Sequence, residues 1–160
     1  MKFALRFLPA VLALACLAMA SQPAVSVRFY AEANARDGEP FSKPITLHNP
    51  ERQSYIERIP AINERNIKMM SHPVQAADGS WGVSFMLDDK GRLDLEVVST
   101  ERKGSSMVVF VVTKKGIHQV IDMLIDKPVR DGIISIQRGL TEMEVAALSK
   151  AYPVAGQKRK

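Results

Sequence analysis

The chain has 160 residues, 46% hydrophobic and 24% charged, the composition of a folded domain rather than of a disordered or low-complexity protein. Its 22 lysines and arginines exceed 17 acids, for a net charge of +5, but Lys2, Arg6 and Lys158-Arg159-Lys160 at the two ends account for that excess. The body is near neutral and has no clustered basic face, which excludes nucleic acid as the expected partner.

Residues 1–20 read as a secretory signal peptide. Lys2 and Arg6 form its basic region, Phe7 to Leu17 its apolar core, and Ala18-Met19-Ala20 a small-x-small cleavage site. The apolar core is shorter than the ~20 residues a membrane span needs. Ala13-Leu14-Ala15-Cys16 loosely resembles a lipoprotein acceptor. It lacks leucine three residues before the cysteine, however, and apolar sequence continues past it. Cleavage after Ala20 is therefore expected. It removes two cations, leaving 20 against 17 acids and a net charge of +3. It also removes Cys16, the only cysteine, so no disulfide framework, cysteine nucleophile or thiolate metal site remains. The expected location is periplasmic or secreted, with no membrane span after cleavage.

Val25 to Ala31 alternates, with Val25, Val27, Phe29 and Ala31 on one side, and predicts a half-buried strand. Asn34 to Pro40 is a loop. Pro44 to Leu47 is a short strand ended by Asn49-Pro50, and Gln53 to Ile59 alternates again up to Pro60. Asn63 caps a single turn. Ile67–Met70 and Val74–Ala77 read as extended, and Asp78-Gly79 signals a hairpin into a Trp81–Leu87 strand. Asp88 caps a helix from about Asp89 to Arg102. Leu93, Val97 and Thr100 share one face, Leu95 and Val98 flank it, and Gly104 follows its end.

Met107-Val108-Val109-Phe110-Val111-Val112 has no polar side and is too short for a buried helix. It predicts a strand buried on both faces, with a sheet neighbour on each edge and a covering layer. Val120–Ile125 is a short strand, Asp131-Gly132 a turn, and Ile133–Ile136 another strand. Thr141-Glu142-Met143-Glu144 is a capping box, with Leu140 stapled to Val145, and opens a helix carrying Val145, Leu148 and Tyr152 inward until Pro153. Val154–Lys160 reads as a disordered basic tail. These elements predict an α+β fold: a mixed or antiparallel sheet with two helices packed on one face, plus a strand-rich N-terminal extension. The predicted organisation is 1–20 signal peptide, 21–54 extension, 55–152 α+β domain and 153–160 tail.

Residues 55–152 resemble the periplasmic head of the first large soluble domain of SecD, a component of the bacterial protein-export machinery. The order and spacing carrying the resemblance are Val83–Asp88, Gly91, Thr100, Lys103-Gly104, Met107–Val112, Gly116, Leu124-Ile125, Val129, Gly132, Ile136, Gly139 and Thr141–Leu148. Upstream, Tyr55-Ile56-Glu57-Arg58 and Ile62–Ile67 resemble the family's strand and following turn. Thr113-Lys114-Lys115-Gly116 stands where the family has an Asp-Gly turn, and Asp122-Met123 where it has Ala-Pro. SecD also has several transmembrane helices, and none is read here after the leader. The resemblance therefore implies the head fold and contact with other polypeptides, not proton-coupled translocation.

Chemistry-bearing residues do not form a recognisable site. His48 and His72 lie in proline-containing loops, and His118 has no ligand at helical spacing, so all three are expected to be solvent-exposed. Asp88-Asp89 reads as a helix start rather than a carboxylate pair. Ser105-Ser106 lacks the glycines of a nucleophile elbow. Gly104, Gly116, Gly132 and Gly139 are isolated and make no phosphate loop. Met69-Met70 and Trp81 read as core. No catalytic, cofactor or metal site is expected, and no residue is assigned to binding. The leading reading is a non-catalytic extracytoplasmic module for a protein or peptide partner, binding by strand addition at a sheet edge, with an export accessory as its more specific form. The alternative is a small secreted hydrolase with a dispersed active site, marked by a His–carboxylate–hydroxyl cluster in a pocket.

The mature protein is expected to begin at Ser21. Intact-mass measurement of exported protein checks this, and lipid on Cys16 in the mature product would overturn it.

Overall fold

The computed structural model describes residues 25–157. The leader with Cys16, its expected cleavage site and Lys158-Arg159-Lys160 lie outside the described residues. Nine strands and two helices follow in chain order: β1 (Val25–Ala33), β2 (Ser42–His48), β3 (Glu51–Glu57), β4 (Ile67–Met70), β5 (Val74–Gln75), β6 (Trp81–Leu87), α1 (Asp89–Glu101), β7 (Ser106–Thr113), β8 (Gly116–Leu124), β9 (Ile133–Leu140) and α2 (Glu142–Ala151). The fold is α+β, its sheets antiparallel, with a strand-rich N-terminal region.

One sheet runs β2-β3-β1-β7-β8. The apolar strand β7 sits inside it, paired with β1 from Val25↔Thr113 to Ala31↔Met107 and with β8 through the β7–β8 hairpin. The second sheet is built on β6, with β9 on one edge and β4 and β5 in succession on the other. Between the sheets lies the main core. Val27 and Phe29 of β1, Val109 of β7, Phe85 of β6, Ile136 of β9, Leu95 of α1 and Leu148 of α2 all belong to it. Phe29 and Tyr152 both meet the Phe85 ring edge-on, with centroids 6.2 and 6.0 Å away.

The outer face of the first sheet is covered as well. The β2–β3 hairpin folds over it and seals a smaller cluster of Tyr30, Leu47, Ile56 and Val108, with Phe110 edge-on to Tyr30 and Lys43 above the Tyr30 ring at 4.7 Å. β1 is therefore buried on both faces, not half-buried as its alternation predicts, because Ser26 and Tyr30 are covered too.

Several other expectations are corrected. β3 runs across position 54/55, and residues 25–54 supply β1, which pairs with β3 and β7, together with β2 and the start of β3. β2, β8 and β9 are longer than read, since ladder pairing carries them through polar residues that break the apolar pattern. α1 turns Gly91, Leu95, Val98 and Ser99 to the core, and Leu93 and Val97 point to solvent. The chain past α2 does not leave the fold at Pro153. The Met70 N–H donates to Pro153 O at 2.9 Å, the Ala155 N–H donates to Met70 O at 2.8 Å, and Val154 is buried. Val154 thereby supplies a parallel bridge to β4.

Two glycines are dictated by close approach. A Cβ on Gly82 would lie 2.3 Å from Gln137 O, at the irregularity where β9 bulges between Leu140 and Ile136. Gly139 has φ +101°, and a Cβ there would lie 2.6 Å from Val120 O, where β9 meets β8.

The α2 capping box forms as expected. Thr141 Oγ1 accepts from the Glu144 N–H at 3.2 Å, and the Thr141 N–H donates to the Glu144 carboxylate at 2.8 Å. Thr141→Ala is expected to cost about 0.5–2 kcal/mol, the usual loss for an N-cap. Coincident urea midpoints for mutant and parent would remove Thr141 from this role.

Candidate functional site

The residues singled out for chemistry do not converge. His72 is exposed between β4 and β5. Asp88 caps α1 by accepting from the Gly91 N–H at 2.6 Å, and Asp89 lies exposed in the first turn. Ser106 is a buried member of β7 and Ser105 a turn residue. Gly104, Gly116 and Gly132 take positive φ in separate turns. Met70 is core and Met69 half-buried. Trp81 is half-buried against the main core.

Two histidines meet carboxylates that sequence spacing does not connect to them. His48 ends β2 instead of lying in the following loop, and its exposed ring has Nδ1 3.9 Å from the buried Asp122 carboxylate on β8. His118 lies in β8, half-buried, with Nδ1 2.8 Å from Glu144 on α2. Thr141 completes a His–carboxylate–hydroxyl cluster beside an open groove, but its order is wrong for nucleophilic catalysis. The Thr141 hydroxyl bonds Glu144 at 2.9 Å, on the far side of the carboxylate from the ring, and is already committed as the helix cap. Among the described residues no group of three or more metal-ligating side chains occurs.

The feature with the shape of a binding site lies between the two sheets. β8 ends the first sheet and β9 ends the second, so each has an edge without a ladder partner among the described residues. The edges touch where Gly139 meets Val120 and then splay apart. The opening is a groove of about 630 Å³. Its sides are Ile121 to Leu124 of β8 and Ile133 to Ser135 of β9, its floor includes Leu95 of α1 and Met107 of β7, and Asp126, Lys127 and Arg138 stand at its mouth. The following loop is pinned, since the Val129 N–H donates to Ser99 Oγ at 2.8 Å and the Ile125 N–H to Ser105 O at 2.9 Å. Strand edges with no ladder partner among the described residues suit an inserted extended chain, and the apolar floor suits its alternate side chains.

Two polar knots tie the strands of the first sheet together, and one of them holds the β8 wall. At the first, Asp122 accepts from the His48 N–H and from Gln119 Nε2 at 3.0 Å, and Gln119 also donates to Thr46 O at 3.0 Å. Side chains of β8 thus tie it to β2, the opposite end of the sheet. At the second, Glu32 of β1 receives Arg52 at 2.6 and 2.9 Å, Ser54 Oγ at 2.5 Å and the Ser106 N–H at 2.8 Å. Burial alone would raise the Glu32 pKa. The Arg52 and Ser54 hydrogen bonds, then the Ser106 N–H, reverse this and hold it at about 2. The partners of Glu32 lie 20, 22 and 74 residues away, on β3 and β7, which is why no local sequence signal marks this knot.

No family model matches the chain, and no curated protein matches it. Among solved structures, a chain of SecDF, described as a membrane component that enhances protein export, aligns with a TM-score of 0.53 at 13% identity. The alignment covers 86% of this chain and 70% of that one. A second SecDF structure, in a super-membrane-facing form, aligns with a TM-score of 0.50 at 14% identity, covering 81% of this chain and 19% of that one. The fold is SecD-like. The SecD-like part is larger than residues 55–152, consistent with β1 lying at the centre of the sheet. No helix among the described residues is long and apolar enough to cross a membrane.

Because the Glu32 pKa is lower in the folded protein than its ordinary 4.5, the unfolded chain binds the proton more readily between those values. The knot's stabilisation is full above about pH 4.5 and is lost as pH falls toward 2. Glu32→Gln is expected to lower stability at neutral pH by a few kcal/mol, about 3 at most, and to flatten its pH dependence in this window. Urea midpoints of parent and variant should converge near pH 2. Parallel curves would show that Glu32 is not held by the knot.

Proposed function

We propose that this protein is a non-catalytic extracytoplasmic module that binds extended polypeptide segments, with an accessory role in protein export. The observation carrying this reading is the groove between β8 and β9, where two unpaired strand edges face each other over an apolar floor. An inserted segment would pair with backbone on either side and join the sheets into one, a mode that tolerates varied sequence. The SecD-like fold supports the export context, since SecDF is described as enhancing protein export. The leader read in residues 1–20 supports a location outside the cytoplasm. The His118–Glu144–Thr141 arrangement supports the non-enzymatic reading, because the hydroxyl is bound to the carboxylate and not to the ring.

Binding of a reduced, unfolded polypeptide, followed by fluorescence anisotropy and by photo-cross-linking from position 124, tests the reading. Leu124 and Ile133 are exposed apolar residues at the groove's sides. Leu124→Lys with Ile133→Lys is expected to weaken binding at least about tenfold while leaving the thermal melt intact, since charged edge residues oppose strand addition. Absence of polypeptide binding by the parent would overturn the proposal. So would hydrolytic turnover that disappears in His118→Ala.

A further inference from the structure

Helix α1 has two apolar faces, and the core uses only one. Leu93 and Val97, four residues apart, form a ridge on the opposite face, 53% and 52% exposed. Across a groove of about 390 Å³ stands Ile59, 77% exposed, and a second groove continues from it to Phe41, 70% exposed. Val97, Ile59 and Phe41 thus lie along two adjoining grooves on the side of the molecule carrying α1 and the base of the β2–β3 hairpin, with Leu93 one turn before Val97. The Leu93–Val97 ridge, two large aliphatic side chains one turn apart on one helix face, suits an interaction surface more than singly scattered apolar residues do.

The charges beside the ridge say what fits it. Lys90 lies on one flank near the start of α1 and Glu101 lies on the same flank at its end, both lining the groove below Ile59. In a two-fold pairing, residue i of one copy meets j of the other and j meets i. When two α1 helices pack antiparallel, same-flank residues face each other, so each Lys90 meets the partner copy's Glu101 while Leu93 meets Val97. Glu101 makes no ion pair among the described residues, and Lys90 holds only Asp94, an exposed i, i+4 pair at 2.5 Å worth little. On the other flank Glu96 is already held by Arg130 at 3.2 Å, so no repulsion opposes the pairing there.

We propose that two copies of this chain associate through α1, antiparallel about a two-fold axis midway along the helix, with the Leu93–Val97 ridges in contact and reciprocal Lys90–Glu101 pairs at both ends. A helix of this length is about 20 Å long, so the contact lies at the small end of specific interfaces and makes a weak, reversible dimer. The groove between β8 and β9 has no part in it.

Sedimentation equilibrium of the purified protein from micromolar to millimolar concentration tests this, with circular dichroism as the folding control. The parent is expected to show a monomer–dimer equilibrium. Lys90→Glu and Glu101→Lys should each weaken it roughly fivefold to thirtyfold, since each variant sets like charges together at both ends. The double variant K90E/E101K should restore the parent's constant within about threefold. Leu93→Asp should abolish association. If that variant fails to fold, the charge exchange decides alone, because those two positions are exposed. A parent that stays monomeric throughout overturns the proposal. A dimer indifferent to Leu93→Asp, or not restored by the exchange, also overturns it.

Discussion

A strand with no polar face constrains everything around it. Val108, Val109 and Val111 of β7 are fully buried, and they point alternately to opposite sides of the sheet. Two covering layers are therefore required. The main core, built with the second sheet and both helices, covers Val109 and Val111. The β2–β3 hairpin covers Val108 with Leu47 and Ile56. What reads in sequence as an extension before the domain is thus the layer without which β7 would expose a row of valines to water.

Folding a hairpin over its own sheet brings polar backbone under cover, and buried polar groups must be paired. Glu32 and Asp122 do this work. Glu32 gathers Arg52 and Ser54 of β3 and the Ser106 N–H of β7, fixing where the hairpin leaves the sheet. Asp122 and Gln119 supply the outer strand β2 with partners that a ladder would otherwise provide. The sheet closes on that side through side chains, while on the other side β8 and β9 remain unjoined. The β8–β9 groove is thus the opening left between the two sheets on the side away from β2, and the loop that follows β8 is pinned by the Val129 and Ile125 N–H groups.

Local signals were legible in the sequence and long-range ones were not. The capping box at Thr141–Glu144, the Asp88 cap, the Asp78-Gly79 hairpin and the β7 run each depend on residues within one turn or one strand, and each forms as read. Strand ends were misjudged where pairing overrides composition: β8 begins at Gly116 because the hairpin pairs Thr113 with Gly116, although Ile117 is exposed and His118 and Gln119 are polar. The bridge at Val154 has no local signal for a related reason, since its partner is Met70. The histidines were placed by their neighbours in sequence, whereas Gln119, which meets the His48 ring, and Glu144, which meets the His118 ring, arrive from other elements.

Helix α1 shows how hydrophobicity alone can choose the wrong face. Leu93 and Val97 make one stripe, and Leu95 and Val98 make another, so the apolar pattern does not decide between them. Small residues do. Gly91 lies on the second face, and a Cβ there would come within 2.8 Å of Asn66 Cβ, at the turn that receives the start of α1. Ser99 lies on that face too, buried, and uses its hydroxyl to hold the Val129 N–H. A helix packs closest where its side chains are shortest, so the face bearing Gly91 and Ser99 goes inward with Leu95 and Val98. Leu93 and Val97 are left outside by that choice. Two large aliphatic residues then face water because the closer-packing face took the core, and they form the ridge on which the proposed pairing of two copies rests.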